Sequence, residues 1–440
     1  MVLRVGTGAG FSSDRLDPAV ELASRGELDY LVFECIGERT LAFGHRDRMA
    51  NPDRGYNPLL ERRLRAVMPH CRRAGTRIVT NMGVANPRAA AEVAVRVARE
   101  TGWQGCRVAT VLGDEVTGLM SPDTELLEGM RIAETGRECL GANAYLGADA
   151  LMDAMDADVV ITGRVADPSL FLAPMRRHYD WAGDDWSRLA KGTVVGHLLE
   201  CAAQITGGYF ADPGFKEVSN LASVGFPYAE IGPDGSAVIS KLNGTGGVVD
   251  ERTVKEQLLY EVHDPAAYLT PDVTADFSTV QLHGDGPDRV AVSAAQGQTR
   301  PPKLKVTVAF DGGFLAEAGV SYAGPGAQER ARIAADVVSA RMRDVHGTNA
   351  PVRVDLIGVS SLHATATEYD TDSRDVRVHC AMRGSSQEEA DLLLWEVESL
   401  LCCGPAGGGG YRGHVTPSVL TYSTFVERSD VPTSVEVSVA

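Results

Sequence analysis

Side chains able to do chemistry follow directly on apolar runs in the first half of this chain. Glu34 and Cys35 end "LDYLVFECI", Asn81 sits in "TRIVTNMG", Asp114 in "CRVATVLGDE", and Arg164 and Asp167 follow "ADVVITG". A cysteine in such a place can be a nucleophile, and Arg39, four residues on, can stabilise its thiolate. Glu34 and Asp167 can serve as acid or base if burial lifts their pKa toward neutrality. Arg164 suits a developing negative charge or a phosphate. In "TVVGHLLECAAQ", His197 shares one helical face with Glu200, Cys201 and Gln204, at offsets of three, four and seven. His197 can therefore act as acid or base, or pair with Cys201 on a metal. No further ligand cluster completes a metal shell, so no metal is expected.

Glycine marks places where backbone can approach a ligand. The first turn, "GTGAGFSS", offers Gly8 and Gly10. A dinucleotide fingerprint would need glycine at 11, where this chain has Phe11, although Glu34 lies about 20 residues on as a ribose-binding acid would. "GTGG" contributes Gly246 and Gly247 ahead of a helix and can present N–H groups to phosphate, but it is not a Walker sequence. No GxSxG nucleophile elbow occurs. "LLCCGPAGGGG" sets Cys402 and Cys403 beside Gly408 and Gly409. Packing, disulfide chemistry and close approach to a substrate are all open there. A disulfide between sequence neighbours is strained, so packing of the last helix is the expectation, with the glycines shaping a loop at a site or subunit contact.

The elements that must position these residues alternate. Strands end near 6, 36, 83, 115 and 163, and helices separate them. Asp17-Pro18, Asn86-Pro87 and Asp167-Pro168 each read as a cap followed by proline in the first turn. Such a pattern predicts an α/β fold with a mainly parallel open sheet and flanking helices. Ligands then bind outside the carboxyl ends of the strands, where the polar residues above gather. A long helix is expected over 186–206, then a glycine-rich insertion from about 207 to 300. The last part, 301–440, reads as a small α+β domain in the order ββαββα, a split, ferredoxin-like layout. The division is thus 1–300 and 301–440.

Composition narrows the function. The formal net charge of −17 argues against nucleic-acid binding. No run of about 18 apolar residues exists, so no membrane partner is expected. The opening residues lack the apolar core of a secretory signal, and a cytoplasmic location is the expectation. Eight cysteines in 440 residues are too few for a disulfide scaffold, and no CxxC spacing suggests zinc.

Several longer stretches carry a resemblance. "GAGFSSDRLDPAVELASRGELDYLVFECIGERT", "RIVTNMGVANP", "ITGRVADPSLFLAP", "GHLLECAAQITGGYFADPG", "VKEQLLYEVHDPAAYLTPDV" and "CGPAGGGG" together resemble the acyclic terpene utilisation (AtuA-like) family, in order over nearly the whole chain. The resemblance implies a homo-oligomeric protein acting on CoA-linked acids, with CoA as a substrate moiety and no separate cofactor. The leading expectation is an enzyme attacking the thioester of an acyl-CoA, by sulfur transfer to a thiocarboxylic acid or by hydrolysis. Cys35 would be the nucleophile, Glu34 or His197 the acid–base, and Arg39, Asn81, Asp114 and Arg164 substrate contacts. Two alternatives stand beside it. One is a hydratase or lyase on an unsaturated acyl-CoA, using Glu34 and Asp167. The other is a noncatalytic subunit of an acyl-CoA enzyme.

Overall fold

The computed structural model describes residues 2–362 and 373–440. In chain order the strands are β1 (Leu3–Ala9), β2 (Tyr30–Phe33), β3 (Arg77–Thr80), β4 (Arg107–Leu112), β5 (Cys139–Ala144) and β6 (Val159–Ile161). Then come β7 (Pro227–Ile231), β8 (Ala237–Lys241), β9 (Tyr268–Leu269), β10 (Thr274–Asp276), β11 (Gln281–Gly284), β12 (Arg289–Ser293) and β13 (Gln296–Gln298). The last are β14 (Lys303–Ala323), β15 (Val352–Ile357), β16 (Asp375–Gly384), β17 (Gly409–Glu427) and β18 (Ser434–Val439). The α-helices are α1 (Asp17–Arg25), α2 (Glu38–Ala50), α3 (Leu60–Ala74), α4 (Pro87–Glu100), α5 (Asp167–Tyr179), α6 (Trp186–Glu200), α7 (Glu251–Leu259), α8 (Ala327–Asp344) and α9 (Gln387–Cys403). No helix among the described residues is long and apolar enough to cross a membrane.

Two compact units divide the chain: residues 1–309 with 421–440, and residues 310–420. The last 20 residues therefore return to the first unit rather than closing a domain over 301–440. Their anchor is β18, which pairs antiparallel with β4, Val437 opposite Ala109.

In the first unit, ten strands form one sheet in the order β11-β12-β8-β7-β1-β2-β3-β6-β4-β18. Its centre, β1-β2-β3-β6-β4, is parallel, and both flanks are antiparallel. The sheet is thus mixed rather than mainly parallel. The flanks β7, β8, β11 and β12 come from the glycine-rich region, whose short strands are joined by tight turns that favour antiparallel pairing. β2 is buried at all four positions, as a central strand covered on both faces must be. One core gathers Ala19 and Leu22 of α1, Leu64 and Val67 of α3, Ala94 and Val97 of α4, and Leu31, Phe33 and Ile78 of the strands.

Local chemistry sets the helix starts. Asn86 caps α4, its side chain accepting from Ala89 N–H at 3.4 Å. Asp250 caps α7, accepting from Arg252 and Thr253 N–H at 2.8 and 3.1 Å. Asp17 and Asp167 are not caps, because Leu16 and Ala166 hold those positions. Each aspartate is instead the first helical residue, and its carboxylate is free for other partners. The helix expected over 186–206 ends at Glu200, and Ala202 beyond it takes a left-handed φ of 46°.

In the second unit the order is βαββαβ, with strands arranged β15-β16-β14-β17. β14 pairs antiparallel with β16, and β16 with β15. The element order differs from the expected ββαββα because "KLKVTVAF" and "FLAEAGVSY" are one continuous 21-residue strand. Ala318, Val320, Ala334, Val338, Val378, Leu393 and Val397 share its core.

Candidate functional site

The polar residues at the ends of the parallel strands meet. Glu34, just past β2, accepts from Asn81 Nδ2 at 2.9 Å and from Ile36 N–H at 2.8 Å, both on Oε1. Asn81, just past β3, also accepts from Cys35 N–H at 2.7 Å. Asp114, past β4, accepts from Arg164 N–H at 2.7 Å and from Asn143 Nδ2 at 2.8 Å. His45 donates in turn to the Asn143 oxygen at 2.5 Å. Gly163 is required beside Asp114, because a Cβ there would collide with both carboxylate oxygens. These bonds fix the short loop that carries Arg164.

Arg164 lies at the floor of a cavity of about 280 Å³. Its side chain is 4% exposed, and one Nη lies 3.2 Å from Asp167. The same group donates to the Ile36 carbonyl. The guanidinium stacks 4.0 Å over the ring of Tyr145. The Tyr145 hydroxyl donates to Glu38 at 2.6 Å, and Lys305 Nζ is 3.5 Å from the same Glu38 oxygen. Asp167, Glu261, Tyr268, Lys303 and Lys305 line the walls, with Leu269, Leu304 and Phe425 giving an apolar side. Glu261 takes a left-handed φ of 57° just beyond α7, a conformation that costs energy in a non-glycine residue.

Charge is distributed unequally here. Burial disfavours ionised Glu38, but Arg164, the Tyr145 hydroxyl and Lys305 more than offset it and hold its carboxyl down at about 2. Burial would strip the charge from Arg164, but Asp167, Tyr145, Glu38 and Glu34 keep it. Asp167, Glu34 and Asp114 shift the opposite way, with burial the largest cause for each. Burial raises Asp167, with Arg164 opposing and Glu38 and Glu261 adding to the rise. Glu34 is raised well above the usual carboxylate range, first by burial and then by Asp167. Asp114 is raised to about 6 by burial, against its bonds from Arg164 N–H and Asn143. The Asp167 side chain is one-third exposed at 33%, and its buried Oδ1 makes no hydrogen bond. It is therefore a carboxyl with a raised pKa, in the cavity wall, next to a fixed cation.

Other expected site residues lie elsewhere. Cys35 is fully buried in the core with Leu31, Leu64 and Met82. Its sulfur accepts from Arg63 Nη1 at 3.1 Å, yet burial outweighs that cation and pushes the thiol up. It has neither the exposure nor the thiolate character of a nucleophile. Arg39 is exposed and lies over Phe43 at 5.5 Å; the cation on the Cys35 thiol is Arg63. Gly8 faces the Phe33 ring, and Gly10 packs on the backbone of Cys201 and Ala202. Gly246 and Gly247 pack on the backbone of Asn220 and Thr206. These glycines serve close chain packing, and the Gly246 and Gly247 N–H groups already donate to the Ser223 and Ser219 carbonyls. Gly408 and Gly409 belong to the second unit, where Gly408 lies against Tyr322. Cys402 and Cys403 are exposed free thiols at the end of α9 rather than packing groups. His197 is buried in α6 and paired with Glu200 at 2.8 Å. Among the described residues, no group of three or more His, Cys, Asp or Glu is placed to hold a metal ion.

Glu38, Tyr145, Glu261, Tyr268 and Lys305 are wall residues that strand-end reasoning did not select. Glu38 opens α2, a helix whose weak apolar pattern hides it. Lys303 and Lys305 do leave a signal: they alternate with Leu304 and Val306 at the start of β14 and so share a face.

The chain matches the family model for the acyclic terpene utilisation family protein AtuA over residues 3–437. It belongs to that family. No curated protein matches it. Among solved structures it is similar to the de novo designed protein Ferredog-Diesel, at 17% identity and a TM-score of 0.16, covering 23% of this chain and 85% of that one. A similarity that low defines neither fold nor activity here.

Proposed function

We propose that this protein is an enzyme acting on the acyl-CoA of a terpenoid or branched acid, and that its chemical step is proton transfer, as in hydration of, or elimination to, an unsaturated acyl-CoA. The observation that carries this reading is Asp167: a carboxyl of raised pKa in the wall of an open cavity, 3.2 Å from a buried arginine. A carboxyl so placed can give a proton to a bound substrate or take one from it. A proton lost beside a thioester carbonyl leaves negative charge on the carbonyl oxygen, and Lys305 and Arg164 supply positive charge for it. Leu269, Leu304 and Phe425 give the hydrocarbon chain an apolar wall. The family's name, with its reference to acyclic terpene utilisation, agrees with a branched, unsaturated chain.

Attack on the thioester itself, by water or a sulfur donor, remains the second reading. It would use the same cations as the oxyanion site and Asp167 as base, and it needs no protein thiol, consistent with the burial of Cys35. We also propose a cytoplasmic, homo-oligomeric protein with CoA as a substrate moiety only, and a ferredoxin-like second unit, which its βαββαβ order supports. The test is incubation with a panel of saturated and unsaturated acyl-CoAs in deuterated water, with and without sulfide, read by mass. Deuterium gain or addition of water without free CoA supports proton transfer. Release of CoA supports the second reading. No change in any acyl-CoA, together with co-purification of an acyl-CoA enzyme, would instead favour a noncatalytic subunit.

A further inference from the structure

His197 and Glu200 are a buried titratable pair that the chemistry above leaves unused. They lie one turn apart on α6, the imidazole 1% and the carboxyl 10% exposed. His197 Nε2 is 2.9 Å from the Gln257 carbonyl oxygen, which only accepts, so Nε2 carries hydrogen. The Gln257 side chain returns the bond, donating to the His197 carbonyl at 3.1 Å. This double contact locks the ring. In a neutral ring, Nδ1 then presents a lone pair to Glu200 Oε1 at 2.8 Å. Two acceptors do not meet at that distance without a proton between them. Either Glu200 is a carboxylic acid donating to the imidazole, or an imidazolium faces a carboxylate.

The surroundings decide between the two. Glu200 Oε2 is buried with no hydrogen-bond partner, a heavy cost for an ionised carboxylate and a smaller one for an acid. Around the pair stand Asp167 at the start of α5, Glu261 beyond α7, Tyr268 on β9 and Cys201 at the end of α6, with Arg164 as the cation that acts on Glu200. Two carboxyls against one arginine disfavour a further anion. The same balance appears on both partners: burial takes His197 down to about 4 and lifts Glu200 well above the carboxylate range. Burying a neutral pair also costs less than burying an ion pair.

We propose that His197 and Glu200 form a neutral pair, with Glu200 a carboxylic acid hydrogen-bonded to His197 Nδ1, and that the pair is a positioning element which keeps a second negative charge away from Asp167. Its charge state is independent of the reaction, whereas its effect on Asp167 rests on the proton-transfer reading. Glutamine is the neutral isostere of the acid and can donate the same bond to Nδ1.

The test is ¹⁵N NMR of the intact protein and of Glu200→Gln between pH 5.5 and 9. Expected is a neutral Nε2–H ring for His197 in both proteins throughout, with an unchanged unfolding midpoint in Glu200→Gln. Glu200→Ala, which removes the donor, is expected to lower that midpoint. If the proton-transfer reading holds, the acidic limb of the rate profile is also unchanged in Glu200→Gln. An imidazolium signature at pH 7 in the parent protein would overturn the proposal. So would a shift of that limb by about one pH unit in Glu200→Gln, because only an ionised Glu200 acts on Asp167 in that way. Loss of activity toward every acyl-CoA would defeat the functional reading and leave the NMR result standing.

Discussion

At the scale of single residues, the site depends on how charge is shared around Arg164. Asp167→Asn keeps the side-chain shape but removes the titrating proton. It is expected to lower the rate of deuterium exchange into substrate by at least about 100-fold with an unchanged circular dichroism spectrum. Arg164→Gln leaves Glu38 and Asp167 without their buried cation. Breaking such a pair typically costs about 3–5 kcal/mol, so urea titration should show a large loss of stability. Asp114 gives a pH signature. Its folded-state pKa of about 6 lies above the usual 3.8, so its contribution is complete below about pH 4 and is lost as pH rises through 6. The size is about 3 kcal/mol, at roughly 1.4 kcal/mol per tenfold change in proton concentration. Unfolding midpoints at pH 4.5 and 7 measure this slope, and Asp114→Asn should remove it.

At the scale of elements, helix starts and ends place the reactive groups. Asp167 is available because Ala166 occupies the cap position of α5. In α7 the cap is made by a side chain, so Asp250→Ala should cost about 1 kcal/mol in a denaturant titration. What separates the two aspartates is one residue of helix phase: Asp250 precedes α7, whereas Asp167 is the first residue of α5, a difference that sequence signals for a helix start do not resolve. The end of α6 at Glu200, earlier than the 206 expected, likewise leaves Cys201 as its C-terminal cap and puts Gln204 in a separate 3-10 turn.

At the scale of the whole molecule, the cysteines report on the fold. Cys35, Cys71, Cys106 and Cys380 are buried, and Cys402 and Cys403 are exposed. Titration of the native protein with an aromatic disulfide reagent should therefore label two thiols rapidly, and all eight only in denaturant. Rapid labelling of Cys35 would contradict its place in the core.

Sequence alone determined the strand–helix alternation, because apolar runs and their punctuation are local and the backbone must satisfy its hydrogen bonds within them. It also placed Glu34, Asn81, Asp114 and Arg164 at strand ends, from which a parallel sheet carries them together. It did not determine which of them reach open space. Cys35 and Asp167 both follow a buried strand by a few residues, yet one is sealed beneath Arg63 and the other faces a cavity. The cavity beside Asp167 is walled by Lys305, Glu261 and Tyr268, residues roughly 100 or more positions away along the chain. Only tertiary packing brings such groups close enough to set a pKa, because charge and burial act through space and leave no local pattern.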